Sequence, residues 1–333
     1  VPLVPPSFTS LIQDRPADEL LSALPDRAGL PAAIDGAAWL RALPGLVESL
    51  LHDWRLSIDG TSRHGECALV VPVRRQTGDP AALKVTWPHA EARDEHLALR
   101  AWDGRGAVRL LAAEPVSCAL LLERLDADRC LRAEPLLEAC EVIGSLMRDL
   151  DRPALPRVDT VDSMARRWVG QLSAMTPLVP RRLTEQAAAT LPGLLADAPA
   201  ARLVHEDLHD LNVLAPLEDD HSRSDASDVD RPGGSPPRGW VAIDPKPVSG
   251  EWAYAVAPIV WNRADEAARA SNLRTHARLR ADIVTEAAGL DEDRVRAWTF
   301  VRLVLNAVRA ADHAPASDDF RSRMIALAKA FTD

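Results

Sequence analysis

The chain has 333 residues, 47% of them hydrophobic, and a formal charge of −10, which suits two domains or one large two-lobed one with a sizeable core. The negative balance argues against a nucleic-acid partner, which needs a basic face, and is compatible with a cationic ligand. No apolar run approaches the ~20 residues needed to span a bilayer, and Val1-Pro-Leu-Val-Pro-Pro lacks the basic and apolar regions of a secretory signal, so neither membrane nor export is expected.

Residues 1–33 are rich in proline and small residues and are expected to form an extension with little regular structure. The apolar spacing of Leu40, Leu43, Val47, Leu50, Leu51 and Trp54 predicts a helix over 34–54, broken at Pro44. Four strands follow, at Cys67–Val73, Ala81–Trp87, Ala107–Ala112 and Cys118–Leu125, with Gln76-Thr-Gly-Asp79 as a hairpin turn between the first two. A helix over Glu91–Trp102, after Pro88 and before Gly104, separates the second strand from the third.

From 131 onward the pattern is largely helical: 134–149, 160–175, 182–197, 265–289 (two helices, broken near Ser271), 292–311 and 317–331. Within this half, 203–214 and 239–244 are short apolar segments expected to form one small hairpin. The Asp-, Ser-, Pro- and Gly-rich stretch 219–238 between them is expected to be a disordered insertion. The class is α+β, with an antiparallel sheet plus helix first and a mainly helical remainder.

Cys67, Cys118, Cys130 and Cys140 show no ligand spacing and are expected to be reduced, packed as small hydrophobes in a cytoplasmic protein. Lysine usage is more informative. Of 39 basic residues three are lysine (Lys84, Lys246 and Lys329), leaving 36 arginines. A lysine kept where the chain otherwise chooses arginine marks a place that needs a compact ammonium, which singles out Lys84 and Lys246.

The chemistry is concentrated in His205-Glu-Asp-Leu-His-Asp-Leu-Asn212 and Trp240-Val-Ala-Ile-Asp244-Pro-Lys246. Asp207 stands five residues before Asn212, a neutral oxygen ligand, and Asp244 ends the next apolar run. Phosphoryl transfer needs such a set: one carboxylate to orient a hydroxyl, and two oxygen ligands to hold Mg²⁺ against nucleotide phosphates. A rival reading makes His205, Asp207 and His209 a metal cluster of a hydrolase that activates water; it leaves Asn212, Lys84 and the Asp244–Lys246 turn unexplained. On the kinase reading His205 is structural, bonding backbone to fix the loop.

Lys84 alternates with Leu83 and Val85, so it faces away from them, and Glu91 and Glu95 on the following helix are candidate partners. The turn Asp59-Gly-Thr-Ser62-Arg-His-Gly65 would offer backbone N–H groups and small hydroxyls to phosphates. It lacks the Gly-x-Gly-x-x-Gly pattern and equally suits a plain hairpin.

These pieces, in this order, resemble the aminoglycoside phosphotransferase superfamily, and within it the streptomycin 6-kinase/hydroxyurea phosphotransferase family. The likeness is carried by Gly65–Val73, Ala81–Lys84, Leu99–Trp102, Gly106–Leu111, Leu120–Leu125, Val204–Leu214, Ala242–Pro247 and Ala257–Arg263. It implies a protein-kinase-like, two-lobed fold: a nucleotide-binding lobe over 34–122, a hinge over 123–130 and a helical lobe over 131–333. It implies ATP (or GTP) and Mg²⁺ as cofactors, with γ-phosphoryl transfer to a hydroxyl of a small molecule, streptomycin-like and antibiotic, or alternatively hydroxyurea or an amino sugar. Lys84 would contact the α/β-phosphates and pair with Glu95, with Ser62 also near them. Glu123 to Leu125 would read the purine through their backbone, Asp207 would be catalytic, and Asn212 and Asp244 would bind Mg²⁺. Glu206, Asp210, Glu251, Asn262 and Arg263 are candidate acceptor contacts. An acidic group of Asp207, Asp210, Glu251, Asp265 and Glu266 would favour a cationic acceptor. Two departures stand out: Glu206 before the catalytic aspartate, and Ala255 where the family commonly places a second carboxylate after Gly250.

Overall fold

The computed structural model describes residues 2–23, 31–173, 176–217, 239–313 and 315–332; the expected insertion at 219–238 lies outside them. The chain forms two compact units, one mainly Val1–Asp126, the other mainly Ala127–Ala215 with Arg238–Asp333.

The first unit corrects the expectation of an irregular N-terminal extension. It opens with helices α1 (Pro6–Ile12) and α2 (Glu19–Ser22). Proline in the first turn of α1 has its φ already set for a helix, and Asp18 caps α2 by accepting from the Leu21 amide at 2.6 Å. Tertiary burial holds α1 in place. Phe8 and Ile12 are fully buried among Trp39, Leu43, Val47 and Leu50 of α3 (Gly36–Asp53), and the Phe8 ring stands edge-on to Trp39 at 6.0 Å. Helix α3 also runs unbroken through Pro44. Pro44 is exposed, so its missing N–H falls on the water side while the opposite stripe packs inward.

The sheet of this unit comprises β1 (Leu56–Ile58), β2 (Arg63–His64), β3 (Ala68–Arg75), β4 (Pro80–Thr86), β5 (Leu110–Glu114) and β6 (Ala119–Glu123). Its order is β1-β3-β4-β6-β5, with β2 on β3, and every pairing is antiparallel. All four expected strands are present with ends moved by a few residues. The Gln76–Asp79 turn closes β3 onto β4, with the Gly78 amide donating to Arg75 O at 2.8 Å. Helix α4 (Glu95–Trp102) starts later than expected because Ala90–Ala92 form a short 3-10 turn. Leu69, Val71, Val73, Ala81, Leu83, Val85, Ala119 and Leu121 line the sheet face that meets α1 and α3. Lys84 therefore projects from the other face.

The second unit contains β7 (Leu125–Cys130), α5 (Leu136–Asp149), β8 (Arg152–Pro153), α6 (Val161–Ser173), α7 (Arg181–Ala196), β9 (Arg202–His205), β10 (Val213–Pro216), β11 (Val241–Ala242), β12 (Pro247–Gly250), α8 (Ala257–Trp261), α9 (Ala264–Arg269), α10 (Leu273–Ala288), α11 (Glu292–Ala311) and α12 (Asp318–Ala330). The predicted break near Ser271 falls between α9 and α10, where Asn272 caps α10 through the Thr275 amide. Gly144 permits close packing of α5 on α10, since a Cβ there would lie 2.5 Å from Ala287 Cβ. The hairpin expected from 203–214 and 239–244 forms over its inner half, with Val213 and Leu214 antiparallel to Ala242 and Val241, while its outer part, β9, pairs with β12 and β8 in a second three-stranded sheet. The chain leaves β9 at Glu206 to make a loop and enters a different sheet at Val213, so the two ends of one apolar segment find different partners. Among the described residues no helix is long and apolar enough to cross a membrane.

Phe8 tests whether α1 belongs to the core. Phe8→Ala is expected to lower unfolding free energy by about 3–5 kcal/mol, read from the midpoint of a urea transition followed by tryptophan fluorescence. A change below about 0.5 kcal/mol would place α1 outside the cooperative unit.

Candidate active site

In the first unit the central strand β4 presents Lys84, flanked in register by Val70 of β3 and Leu120 of β6. The first turn of α4 presents Glu95. Lys84 Nζ donates to Glu95 Oε1 at 2.6 Å and Oε2 at 2.7 Å, with side-chain exposures of 7% and 4%. A buried ion pair is a costly device whose partners cannot be removed singly, and this one holds an ammonium at a fixed point off the sheet.

Gly60, with φ of 145°, turns the loop between β1 and β2 in a conformation that L side chains rarely adopt. Asp59 before it pairs with Arg124 at 2.7 Å and Arg74 at 2.9 Å. The hydrogen bond from Arg124 leads the effects that hold its carboxyl below the usual range. Ser62 lies between Gly60 and β2, half-buried. Glu123 ends β6; its carboxylate accepts from the Arg109 amide at 2.7 Å and its own amide donates to Arg109 O at 3.0 Å. Leu125 begins β7.

In the second unit the loop after β9 carries the opening motif. Pairing of β9 with β12 sets His205 opposite Pro247, and the Glu206 amide donates to Lys246 O at 3.0 Å. His205 is fully buried. Its Nδ1 accepts from the Asp207 amide at 3.2 Å, and its Nε2 lies 3.1 Å from Ile243 O, so the ring is neutral with its proton on Nε2. Burial pushes its pKa down to about 4, outweighing Asp207 and the Ile243 carbonyl. With both nitrogens committed to backbone, His205 is no metal ligand. No group of three His, Cys, Asp or Glu among the described residues is arranged to hold a metal ion, so the hydrolase reading falls.

Asn212 Nδ2 donates to Asp207 O at 2.9 Å, which aims the amide oxygen away from the loop. The Ile243 amide donates to Asn212 O at 2.9 Å, bringing the following residue, Asp244, to the same end of the β10–β11 pair. Asp244 is exposed, with a left-handed φ of 54°. One amide and one carboxylate oxygen make a hard donor set suited to Mg²⁺, which takes few protein ligands and completes its shell with phosphates and water. The pair fits that ion and would not cage a metal alone.

Asp207 is half-buried, with Lys246 Nζ 3.0 Å from Oδ2 and His209 Nε2 3.7 Å from Oδ1. Burial raises its pKa, but Lys246 and His209 together hold it below the usual carboxylate range. Asp207 is thus an anion suited to orienting a hydroxyl rather than a strong base.

The proposed acceptor contacts are placed differently from expectation. Glu206 turns inward, accepting from Tyr254 Oη at 2.5 Å. Arg302 donates to Glu206 O at 3.0 Å and Tyr254 O at 3.1 Å, with its guanidinium 4.3 Å from the Tyr254 ring centre. Burial holds the Tyr254 hydroxyl protonated, far above its ordinary range. Asp210 is fully buried against Arg263 Nε at 2.8 Å, and Arg263 also donates to Glu134 O and Leu131 O. Glu251 binds Arg294 and Trp298 Nε1, anchoring the segment after Gly250 with no carboxylate at 255. Asn262 donates to Pro258 O at 2.8 Å, closing α8. These five side chains brace the unit. The acidic group is likewise neutralised, since Asp265 and Glu266 both pair with Arg132. Tyr254, Arg302 and Arg132 carried no sequence signal; Lys246 carried one, its rarity.

A strand lysine paired to a helix glutamate, an Asp-x-x-x-x-Asn loop and a further aspartate at a strand end are the working parts of a kinase, and the protein is a small-molecule kinase. The chain matches the profile of the aminoglycoside/hydroxyurea antibiotic resistance kinases over residues 53–314 and belongs to that family. It is 35% identical to streptomycin 6-kinase of Streptomyces glaucescens over 280 residues, 82% of this chain and 85% of that protein. It is 34% identical to hydroxyurea phosphotransferase of Kitasatospora aureofaciens, covering 90% of each. A choline/ethanolamine kinase family protein from Mesorhizobium loti shares the protein-kinase-like fold, with a TM-score of 0.55 at 15% identity, 88% of this chain and 92% of that one.

The state of His205 makes stability pH-dependent. Its folded pKa, about 4, lies below the ordinary 6.5, so its contribution is complete above pH 6.5 and is lost as pH falls through about 4. The difference is on the order of 3 kcal/mol. Urea titrations at pH 7, 5.5 and 4 are expected to show wild type losing about that much more stability than His205→Asn. Parallel losses would refute a buried neutral imidazole.

Proposed function

We propose that this kinase uses ATP and Mg²⁺ to phosphorylate a hydroxyl of an aminoglycoside of the streptomycin class, protecting its host from the antibiotic. The observation that carries the reading is the loop in which Asp207, Asn212 and Asp244 are brought to one end of the β10–β11 pair by His205 and the Ile243 amide. The identity to streptomycin 6-kinase supports the acceptor class. The acidic side chains do not, since their charge is taken by arginines and, at Asp207, by Lys246; a cationic acceptor is favoured by kinship alone. A cytoplasmic location, where ATP is supplied and the free cysteines stay reduced, fits this reading.

In the proposed step the acceptor hydroxyl attacks the γ-phosphorus, the bond to the β,γ-bridging oxygen breaks, ADP leaves, and the hydroxyl proton passes to Asp207. Lys84, fixed by Glu95, binds the α/β-phosphates. Ser62 and the backbone of its loop supply further donors, and the backbone at Glu123 and Leu125 reads the purine. Asn212 and Asp244 would hold Mg²⁺, which supplies charge neutralisation on the phosphates. Hydroxyurea is the second acceptor to weigh, because the hydroxyurea phosphotransferase aligns over a larger share of the chain.

The test is acceptor-dependent ADP formation with streptomycin, hydroxyurea and amino sugars in parallel. Streptomycin is expected to give the highest kcat/KM, and Asp207→Asn to lower kcat by roughly 10²–10⁴-fold with KM for ATP little changed. Equal acceptor-dependent rates in wild type and variant would remove Asp207 from its role, and turnover of hydroxyurea alone would reassign the acceptor.

A further inference from the structure

Lys246 is one of three lysines in a chain with 36 arginines, and neither the phosphate contacts nor the metal pair uses it. It sits between Pro245 and Pro247, whose rings fix φ on both sides. Its carbonyl accepts from the amide of Glu206, the residue before Asp207, at 3.0 Å. Its Nζ lies 3.0 Å from Asp207 Oδ2. Side chain and main chain of Lys246 thus both close on the loop that carries Asp207, through a circuit of a few bonds. Both side chains keep contact with solvent, at 33% and 24% exposure, unlike the buried ion pairs that brace the fold.

Elsewhere two arginines each hold a carboxylate by a guanidinium fork across both oxygens, while Arg263 meets Asp210 through Oδ2. Arg202 holds Asp151 at 2.6 Å on each oxygen, and Arg294 spans both oxygens of Glu251. These forked carboxylates still accept a further hydrogen bond, Asp151 from Trp252 Nε1 at 3.1 Å and Glu251 from Trp298 Nε1 at 2.7 Å. At Asp207 the partner is a point charge meeting Oδ2, while Oδ1 lies 3.7 Å from the nearest histidine nitrogen, beyond hydrogen-bond reach.

We infer that Lys246 is a positioning residue for phosphoryl transfer: its ammonium pins Asp207 through Oδ2 and leaves Oδ1 to receive the acceptor hydroxyl. The inference rests on the phosphotransferase reading and on Asp207 as the group that takes the proton. It gives the scarce lysine at this position a use, a compact ammonium set against one carboxylate oxygen. A small misplacement of a catalytic group lowers the rate without weakening nucleotide binding.

The experiment measures kcat and both KM values with ATP, Mg²⁺ and streptomycin, or hydroxyurea if that is the acceptor used, for wild type, Lys246→Met, Lys246→Arg, Asp207→Asn and the Lys246→Met/Asp207→Asn double variant. Residual rates are read by transfer of labelled phosphate, and thermal midpoints confirm folding. Lys246→Met is expected to lower kcat about 100-fold with both KM values within about threefold. Lys246→Arg keeps the charge and is expected to recover at least about tenfold of that loss. The double variant should be no slower than Asp207→Asn within about threefold, because Lys246 acts through Asp207. Near-wild-type kcat in Lys246→Met overturns the inference. A multiplicative loss in the double variant moves Lys246 onto the phosphoryl group itself. A wild type that transfers phosphate to neither compound overturns the underlying reading, and is told apart because no variant is then needed.

Discussion

Two stretches of backbone that belong to different small sheets must stay in register for the loop after β9 to hold its shape, and the imidazole of His205 joins them. One nitrogen takes the Asp207 amide and the other reaches Ile243 O, so Asp207 and the residue before Asp244 are fixed by one rigid ring. A charged ring could not serve, since it would donate at both nitrogens and leave the Asp207 amide without an acceptor. Burial therefore does more here than add apolar contact. It selects the protonation state on which the loop's hydrogen bonds depend.

Arg302 carries that constraint outward to α11. Arg302 holds the carbonyls of Glu206 and Tyr254, and its guanidinium lies over the rings of Tyr254 and Trp261. Tyr254 stacks on Trp168 and meets Trp298 edge-on. Arginine suits this place because its flat cation can stack and donate at once. The loop after β9, which has little regular structure of its own, is thereby tied to a helix with eleven buried residues.

The strands, the Gln76–Asp79 turn and the split near Ser271 were legible because each is written in local periodicity or in residues with one conformational use. Lys84 and Glu95 were legible because an isolated lysine in an apolar strand has few other reasons to be there. What stayed hidden depends on partners distant in sequence. Pro44 marks a break by local rule, yet the face it occupies is solvent and the opposite face is core. Residues 1–33 look unstructured by composition, but two apolar side chains one turn apart suffice to dock α1. The acidic group misled for the same reason: Asp210, Glu251, Asp265 and Glu266 read as surface charge until their arginines, up to 134 residues away, come into contact. An arginine-rich, acidic chain looks more highly charged in sequence than its folded surface is.

The matched family region begins at residue 53, but the hydrophobic core it needs begins at Phe8. Helices α1 and α3 end before or at that boundary, and they supply Phe8, Ile12, Trp39, Leu43, Val47 and Leu50 to the inner face of the first sheet. The far end has the same mismatch, since α12 lies beyond residue 314 and packs on α11 with Met324 and Leu327 buried. Homology and folding thus draw different borders on this chain. A fragment trimmed to the matched residues 53–314 would keep every residue of the proposed chemistry and expose a wide apolar face at each end, which is the surface of an aggregating protein rather than of a minimal enzyme.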